Sequence, residues 1–269
     1  MTILITGANG AVSSALLNSL KGEKVRAMVR NPAKAPQGLD VVVGDLDEPS
    51  TLEQAFAGVD TLWLLTALGP QAPHASMNAV HAAKQAGIKH VVRMSAIGAA
   101  HDAPTRNGRL HALSDHELRS SGLDWTIIKP GFFMQNLLGS INGGTLYAGL
   151  GDGRLGMIDV RDIADFAAAV LTDPAPHAGR TYTITGPASI SLDEAAAAAG
   201  ATYQPVTDEQ AYAAMVGYGL SDWVSAVLLE YFRAYAAGWG DYTTPDFAQV
   251  VGRPARSFAD FARDHDLGS

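Results

Sequence analysis

The sequence of 269 residues contains no cysteine. This absence excludes disulfides, thiolate nucleophiles and cysteine-bound metals, and it is typical of proteins in a reducing compartment. We therefore expect a cytoplasmic protein. The chain also lacks the run of about 18 uninterrupted apolar residues that a membrane-spanning helix needs, and no basic and apolar leader precedes its first strand-like segment. The sequence thus predicts no membrane partner.

Basic residues are scarce as well. The 19 lysines and arginines are outnumbered by 27 acidic residues, which gives a formal net charge of −8. Such a balance argues against a nucleic-acid-binding surface. The eight histidines are scattered without the His-Glu-x-x-His spacing of many zinc sites, so we predict no metal. The glycine-serine-glycine turn of serine hydrolases is absent too.

Strand-like and helix-like segments alternate along the first half of the chain. The strands, such as TILIT at 2–6 and TLWLLT at 61–66, are apolar nearly throughout rather than at every second residue, which is typical of parallel strands covered on both faces. The pattern predicts a Rossmann-type, doubly wound parallel α/β sheet. We assign residues 1–150 to an NAD(P)-binding Rossmann domain. Residues 151–269 are predicted to be a smaller, mainly helical region that closes a substrate cleft, with some segments returning to the sheet.

The first strand runs into a glycine-spaced turn, GANGAVS at residues 7–13, and then into a helix-like run. Gly7 permits the tight turn, and Gly10 lets backbone N–H groups approach a pyrophosphate at the positive end of the helix. Ser13 stands where the motif's third glycine is expected. Because that glycine serves close packing, we expect the serine to move the helix slightly outward without removing the phosphate site. A plain strand–turn–helix junction is the alternative.

The second strand-like segment ends beside a cation. KVRAMV ends at Val29, Arg30 follows, and no carboxylate occurs between Glu23 and Asp40. An acidic residue at this place holds the ribose hydroxyls of NAD, whereas an arginine accommodates the additional phosphate of NADP through bidentate hydrogen bonds. Arg30 therefore predicts NADP (NADPH) as the cofactor. A solvated charge at the end of the strand is the alternative.

Several longer segments resemble one family in order along nearly the whole chain: TGANG at 6–10, VRNPAKA at 29–35, GDLDEPSTLEQAFAGVD at 44–60, SGLDWTIIKPGFFMQN at 121–136, DVRDIADFAAAVL at 159–171 and GRPARSFADFARDH at 252–265. They resemble the NmrA-like group of atypical short-chain dehydrogenases/reductases. Within this group the sequence is most similar to NAD(P)H:quinone oxidoreductases and triphenylmethane reductases. The resemblance implies a Rossmann domain that binds NADP.

The resemblance also implies which positions surround the cofactor. These are Gly7, Asn9, Gly10, Ala11 and Val12 at the pyrophosphate, Arg30 at the 2′-phosphate, Asp45 and Leu46 beside adenine, and Leu65, Thr66, Ser95, Ala96, Pro130, Gly131, Phe132 and Phe133 along the ribose and nicotinamide. Ligands of parallel sheets bind at the carboxyl ends of the strands, which agrees with these places. A turn or helix-cap role for Asp45 and a strand terminus at Thr66 are the plain alternatives.

Typical members of the superfamily transfer a proton through a tyrosine that is followed four residues later by a lysine. None of the eight tyrosines here has lysine at that spacing. His111 occupies the position where isoflavone-reductase-like proteins carry a catalytic lysine, and we hypothesise that an imidazole of near-neutral pKa donates the proton. Ser114 lies on the same helix face as a candidate substrate contact. Phe133 and Met134, with Phe132, are candidates for an apolar wall, although surface hydrogen bonding and core packing are equally ordinary roles for these residues.

The leading hypothesis is an NADPH-dependent reductase that transfers hydride to a small conjugated apolar acceptor such as a quinone, an enone or an imine-like compound. Two alternatives remain open. One is a nonenzymatic NADP-sensing regulatory protein, and the other is an epimerase or isomerase that uses bound NADP transiently. Helices expected at 208–218 and 220–237 either cover the cleft or meet a second subunit, so a homodimer is compatible with the sequence.

Overall fold

The computed structural model describes residues 1–35 and 37–267. The strands in this part of the chain are β1 (Thr2–Ile5), β2 (Lys24–Val29), β3 (Asp40–Val43), β4 (Thr61–Leu64), β5 (His90–Met94), β6 (Asp124–Pro130), β7 (Ile141–Asn142), β8 (Thr145–Ala148), β9 (Arg154–Leu155), β10 (Arg180–Ile184), β11 (Ile190–Ser191) and β12 (Thr202–Pro205). The helices are α1 (Ala11–Ser19), α2 (Leu52–Phe56), α3 (Ala72–Gln85), α4 (Arg106–Ser120), α5 (Val160–Thr172), α6 (Leu192–Ala198), α7 (Asp208–Gly217), α8 (Asp222–Ala236), α9 (Asp246–Val251) and α10 (Phe258–Asp264).

Seven parallel strands form the central sheet in the order β3-β2-β1-β4-β5-β6-β10. The chain winds outward from β1 in one direction and then from β4 in the other, which confirms the predicted doubly wound Rossmann-type fold. The strand order reverses between β1 and β4, where Ile3 pairs with both Val25 and Thr61. A crevice forms at the carboxyl ends of the strands beside such a reversal, and this is where α/β sheets bind their ligands.

Both faces of the sheet are buried, and alternate side chains of β1 show why. Ile3 and Ile5 pack on one face against α1 and α5, whereas Leu4 packs on the other against α2 and α3. Successive side chains of a strand point to opposite faces, so a strand covered on both faces is apolar at every position. The continuous apolar runs in the sequence therefore correspond to the centre of the sheet.

The C-terminal part of the chain is divided between the main sheet and a smaller unit. β10 and α5 belong to the Rossmann layers, whereas a small sheet in the order β12-β8-β7 and the pair β11-β9 form the smaller unit with α6, α8 and α10. β7 and β8, which precede residue 150, lie in the smaller unit, and β10, which follows it, lies in the main sheet. The domain boundary at residue 150 remains a prediction.

Side-chain caps fix the start of several helices. Thr105 caps α4 by accepting a hydrogen bond from the Gly108 amide, and Asp159 caps α5 in the same way. The capping box expected at Ser191 and Glu194 is present at the start of α6. Such caps satisfy amides that have no partner inside the helix. In the described ranges, none of these helices is long and apolar enough to span a bilayer.

Candidate active site

The loop after β1 forms a turn that only glycine adopts without strain. Gly7 has a φ of +63°, and a Cβ there would lie 3.1 Å from Cδ2 of Leu65. The Gly10 amide donates to the Gly7 carbonyl over 2.8 Å and closes the turn. Gly10 is also the N-cap of α1 and provides no side-chain cap. The first amides of α1 therefore remain available for an anion at the positive end of the helix.

Ser13 has a structural role that the sequence did not reveal. Its side chain is fully buried, and its Oγ donates to the Thr6 carbonyl over 2.9 Å while accepting a hydrogen bond from Nε1 of Trp63 over 3.1 Å. Trp63 lies in β4 and is itself fully buried, so its indole N–H needs a partner. The serine hydroxyl thus ties α1 to β1 and β4, where a third glycine would only permit close packing.

Two cations follow β2 without protein partners. Arg30 and Lys34 are exposed, and neither side chain makes a hydrogen bond or ion pair within residues 1–35 and 37–267. Between them, the Asn31 side chain accepts from the Ala33 amide and starts a short 3-10 turn. A free guanidinium at the end of the second strand fits a phosphate that has no other counter-charge.

Asp45 and Leu46 lie in the turn after β3. Oδ1 of Asp45 accepts from the Asp47 amide over 3.1 Å, and the Leu46 carbonyl accepts from Nδ2 of Asn78 over 2.8 Å. The Asp45 side chain therefore fills the turn role that was the plain alternative for this residue. An adenine contact for either residue remains a prediction.

A cavity of about 640 Å³ opens at the carboxyl ends of β4, β5 and β6, between the sheet and the helices α7 and α8. Several of the predicted site residues line it together: Thr66, Ser95, Ala96, His111, Pro130, Gly131, Phe132 and Phe133. Among the described residues, no aspartate, glutamate, lysine or arginine contributes to its wall. The cavity therefore offers an uncharged and largely apolar environment.

The predicted phosphate-binding residues and the residues that line the cavity lie one after another along the carboxyl edge of the sheet. Arg30 follows β2, residues 7–12 follow β1, and Thr66 lies shortly after β4. Across the sheet these strands are direct neighbours, spaced about 4.8 Å apart. This is the order expected for an extended dinucleotide with its 2′-phosphate, pyrophosphate and nicotinamide at the predicted places, and those contacts remain predictions.

The side-chain hydroxyl of Thr66 independently indicates a hydrogen-bond partner outside the protein. Its Oγ1 is buried and has no hydrogen-bond partner among the residues described. A buried hydroxyl without a partner is unusual in a native structure and costs free energy comparable to a lost hydrogen bond. The amide and ribose groups of a nicotinamide nucleotide supply partners of this kind, so the residues present fit the dinucleotide.

Gly131 shows why glycine stands directly after β6. A Cβ at this position would lie 2.5 Å from the Gly156 carbonyl oxygen, and the Gly131 amide donates to the Ile184 carbonyl over 2.8 Å. The backbone therefore crosses the neighbouring loop in close contact. This crossing fixes Phe132 and Phe133 on the cavity wall.

A buried ionic network lies behind the cavity. Arg93 on β5 is fully buried and donates from Nε to Asp115 Oδ1 over 3.0 Å, and Ser95 donates to the other carboxylate oxygen over 2.9 Å. Lys129 lies 3.6 Å from the same carboxylate. Nη2 of Arg93 lies 3.2 Å from Nδ1 of His111. Because a guanidinium can only donate, Nδ1 must accept, and the imidazole carries its hydrogen on Nε2.

The environment of His111 corrects the expectation of a near-neutral imidazole. Burial and the neighbouring charges of Arg93 and Lys129 lower the pKa of His111 to about 3. The ring is therefore neutral at physiological pH, and it has no proton to donate as an imidazolium. Its Nε2–H has no partner in the described part of the chain, so it can act as a hydrogen-bond donor toward the cavity that the ring lines.

Two other predicted substrate contacts lie elsewhere. Ser114 is 2% exposed, its hydroxyl donates to the Leu110 carbonyl one turn earlier in α4, and it does not line the cavity. Met134 is 1% exposed and packs in the core of the smaller unit. The structure thus gives these two residues packing roles.

Sequence reasoning missed the residues that α8 brings to the cavity. Tyr231 and Tyr235 are stacked with ring centroids 6.0 Å apart, and Tyr235 meets Phe132 edge to face at 5.7 Å. Asn107 on α4 also lines the cavity and donates from Nδ2 to the Tyr231 hydroxyl over 3.0 Å. The spacing of Tyr231 and Tyr235, four residues apart, was the available signal, since such residues share one helix face.

Comparison with known proteins agrees with this geometry. A sequence profile of the NAD(P)H-binding family matches residues 7–174. An NAD(P)H azoreductase from Xenophilus azovorans is 39% identical over an alignment of 283 positions, which covers 98% of this chain and 97% of that protein.

Solved structures share the fold. The NADPH-dependent quinone oxidoreductase QOR2 of Escherichia coli, crystallised with NADPH, has 27% identity and a TM-score of 0.87, with 98% of this chain and 99% of that chain covered. The triphenylmethane reductase of Citrobacter sp., crystallised with NADP(H), has a TM-score of 0.87 and 23% identity, with 98% of this chain and 99% of that chain covered. At this identity the comparison shows that the two proteins share a fold. The chain therefore belongs to the NAD(P)H-binding family and is an NAD(P)H-dependent oxidoreductase that resembles atypical short-chain dehydrogenases/reductases.

Proposed function

We propose that the protein is an NADPH-dependent reductase of flat, conjugated, apolar acceptors, such as quinones, enones and compounds with C=N or N=N bonds. One observation carries the proposal: the cavity beside the dinucleotide site is uncharged, and aromatic side chains form part of its wall. Apolar sites with a few placed polar groups bind flat organic molecules well. The names of the azoreductase and quinone oxidoreductase relatives support the same substrate class.

Different residues of the chain bind the different parts of the cofactor. The amides of Gly10, Ala11 and Val12, with Asn9 on the preceding turn, bind the pyrophosphate, and Arg30 pairs with the 2′-phosphate. The adenine is bordered by Asp45 and Leu46. The ribose and nicotinamide are bordered by Leu65, Thr66, Ser95 and the segment Pro130–Phe133. When bound, NADPH supplies the hydride for the reduction.

His111 holds the acceptor by a hydrogen bond rather than by donating a proton. Its neutral ring, fixed by Arg93 at Nδ1, presents Nε2–H to the cavity that it lines. An N–H donor aimed at a carbonyl oxygen or an azo nitrogen stabilises the negative charge that develops there during reduction. The proton that completes the product then comes from water at the open side of the cavity, where Tyr218 is 82% exposed.

The proposal is tested by steady-state reduction of matched acceptors with NADPH. We expect naphthoquinone to be reduced and a naphthoquinone sulfonate to be reduced much more slowly, since none of the described residues of the cavity wall is a cation that can pair with the sulfonate. Ketones with carboxylates, such as pyruvate, are expected to be inactive. Saturable binding of NADPH with no oxidation by any neutral conjugated acceptor would contradict the proposal and favour a sensor.

A further inference from the structure

Asn107 carries a buried polar atom without a partner. The residue is 6% exposed, lies in the first turn of α4 and lines the cavity. Its Nδ2 donates to the Tyr231 hydroxyl over 3.0 Å, whereas its Oδ1 is buried and unpartnered among the described residues. Buried carbonyl oxygens nearly always accept at least one hydrogen bond. Because the residue lines the cavity, a molecule bound there is the candidate source of a donor for this oxygen.

The surroundings of Asn107 leave few other sources for that donor. The Tyr231 hydroxyl accepts from the amide nitrogen of Asn107 and also lies beside the Thr105 side chain, and it makes no hydrogen bond with Oδ1. Among the described residues, the cavity wall contains no lysine or arginine that could turn toward Oδ1. The nearest cation on the same helix, Arg106, is held by Glu230 through its backbone amide and its Nε, both at 2.7 Å. The Arg106 side chain is thus paired with Glu230.

Asn107 also has a fixed relation to His111. The two residues are four apart on α4 and both line the cavity, so they lie on one face about one helical turn, roughly 5–6 Å, apart. His111 presents an N–H donor and Asn107 a carbonyl acceptor. A ligand that satisfies both carries a hydrogen-bond acceptor and, about the length of one benzene ring away, a hydrogen-bond donor.

We propose that Asn107 determines substrate specificity by accepting a hydrogen bond from an amino or hydroxyl group on the conjugated acceptor. The inference rests on the proposed function and narrows its substrate class. The reducible C=O or N=N group is placed at His111, and the N–H or O–H substituent, para to it across a ring, is placed at Asn107. Sites built to bind a substrate donor reject analogues that lack it more strongly than apolar pockets reject a size change.

The test compares two azo compounds that differ only in this donor, para-aminoazobenzene and para-(dimethylamino)azobenzene. For wild-type protein with saturating NADPH we expect kcat/KM to be about tenfold or more higher for the amino compound, since methylation leaves Oδ1 unpaired. 6-Amino-1,4-naphthoquinone and its 6-dimethylamino analogue carry the substituent para to a carbonyl-bearing carbon of the benzene ring and give the same comparison, so the preference is measured on whichever acceptor class is reduced.

Substitution of Asn107 separates recognition from structure. Asn107→Leu, of similar size, is expected to lower the ratio of the two kcat/KM values about tenfold, chiefly by loss of activity on the amino compound. If the leucine variant does not fold, Asn107→Ser takes its place. The shorter serine side chain cannot reach the substrate donor, so it is expected to lower the ratio in the same way. Tyr231→Phe removes the partner of Nδ2 but leaves Oδ1 in place, so it is the matched control and should retain the preference.

The possible results have distinct meanings. A wild-type ratio near one, or a ratio that Asn107→Leu leaves unchanged while both activities fall together, overturns the role of Asn107 and leaves the reductase proposal standing. Failure of all four compounds and of naphthoquinone to consume NADPH overturns the proposed function itself, and the specificity inference with it. A preference present in wild type, lost in Asn107→Leu and kept in Tyr231→Phe supports the inference.

Discussion

Replacing Ser13 by the glycine that the phosphate-loop motif leads one to expect should destabilise this protein. The substitution removes the hydroxyl that donates to the Thr6 carbonyl and accepts from the Trp63 indole, both in fully buried positions. Leaving buried polar groups unpaired costs about 1–3 kcal/mol each, with partial relaxation. We therefore expect Ser13→Ala to lower the free energy of unfolding by about 2–3 kcal/mol. Ser13→Gly adds up to about 1 kcal/mol from lower helix propensity.

Equilibrium unfolding in urea, followed by circular dichroism, measures these differences. The neighbouring Ser14 is exposed and lies on the same helix, so Ser14→Gly gives the helix-propensity cost alone. In thermal unfolding each kcal/mol corresponds to roughly 2–4 °C for a protein of this size. NADPH affinity should stay within about twofold of wild type, because the first-turn amides of α1 are unaffected. Equal stability of Ser13→Gly and Ser14→Gly would refute the bridging role of the hydroxyl.

Three further predictions follow from the geometry. Arg30→Ala should raise KM for NADPH about 10- to 100-fold without changing KM for NADH, since a charge-assisted phosphate contact is worth about 1.5–3 kcal/mol. Lys24→Ala, at the opposite end of β2, is the control, and an equal effect on both cofactors would contradict the assignment. His111 has a pKa of about 3 when folded against an ordinary 6.5, so its neutral form stabilises the folded state above about pH 6.5 and this contribution is lost as the pH falls toward 3. His111→Gln should reduce that acid sensitivity in urea titrations, and the kcat/KM profile of wild type should show no His111 ionisation between about pH 5 and 8. Asp162 is fully buried and accepts from Arg253 and from the Arg256 amide, so Asp162→Ala should cost about 2–3 kcal/mol of unfolding free energy. The Asp165 side chain is 30% exposed, so Asp165→Ala should lower the unfolding free energy by about 1 kcal/mol or less. Equal losses of stability in the two variants would show that burial of the carboxylate is unimportant.

The fold was predictable because its signals are local. β1 and β4 are apolar at every position after their first residue, a threonine, and this pattern is typical of strands covered on both faces. The glycine turn lies directly between β1 and α1, so Gly7 and Gly10 could be placed from sequence neighbours alone. The expectation that some segments after residue 150 return to the sheet agrees with β10, which pairs with β6, about 54 residues earlier, whereas the strand that it pairs with has no local signal in the sequence.

The cavity wall was harder to predict because its contacts are distant in sequence. Asn107 meets Tyr231 across 124 residues, and neither residue type marks a site by itself. The low pKa of His111 depends on Arg93, whose burial in the middle of β5 is clear only once the strand is placed. A charged residue inside the otherwise apolar run HVVRM was the sequence signal for this network, since such a residue stays buried only when it is paired.

Single-turnover mixing of the protein–NADPH complex with naphthoquinone tests the central claim most directly. The account predicts that the absorbance of reduced nicotinamide falls in proportion to the quinone added, with one hydroquinone formed for each NADPH consumed. It also predicts that bovine serum albumin at the same concentration leaves NADPH unchanged. Tight NADPH binding without any oxidation by naphthoquinone, or by the other neutral conjugated acceptors, would contradict it.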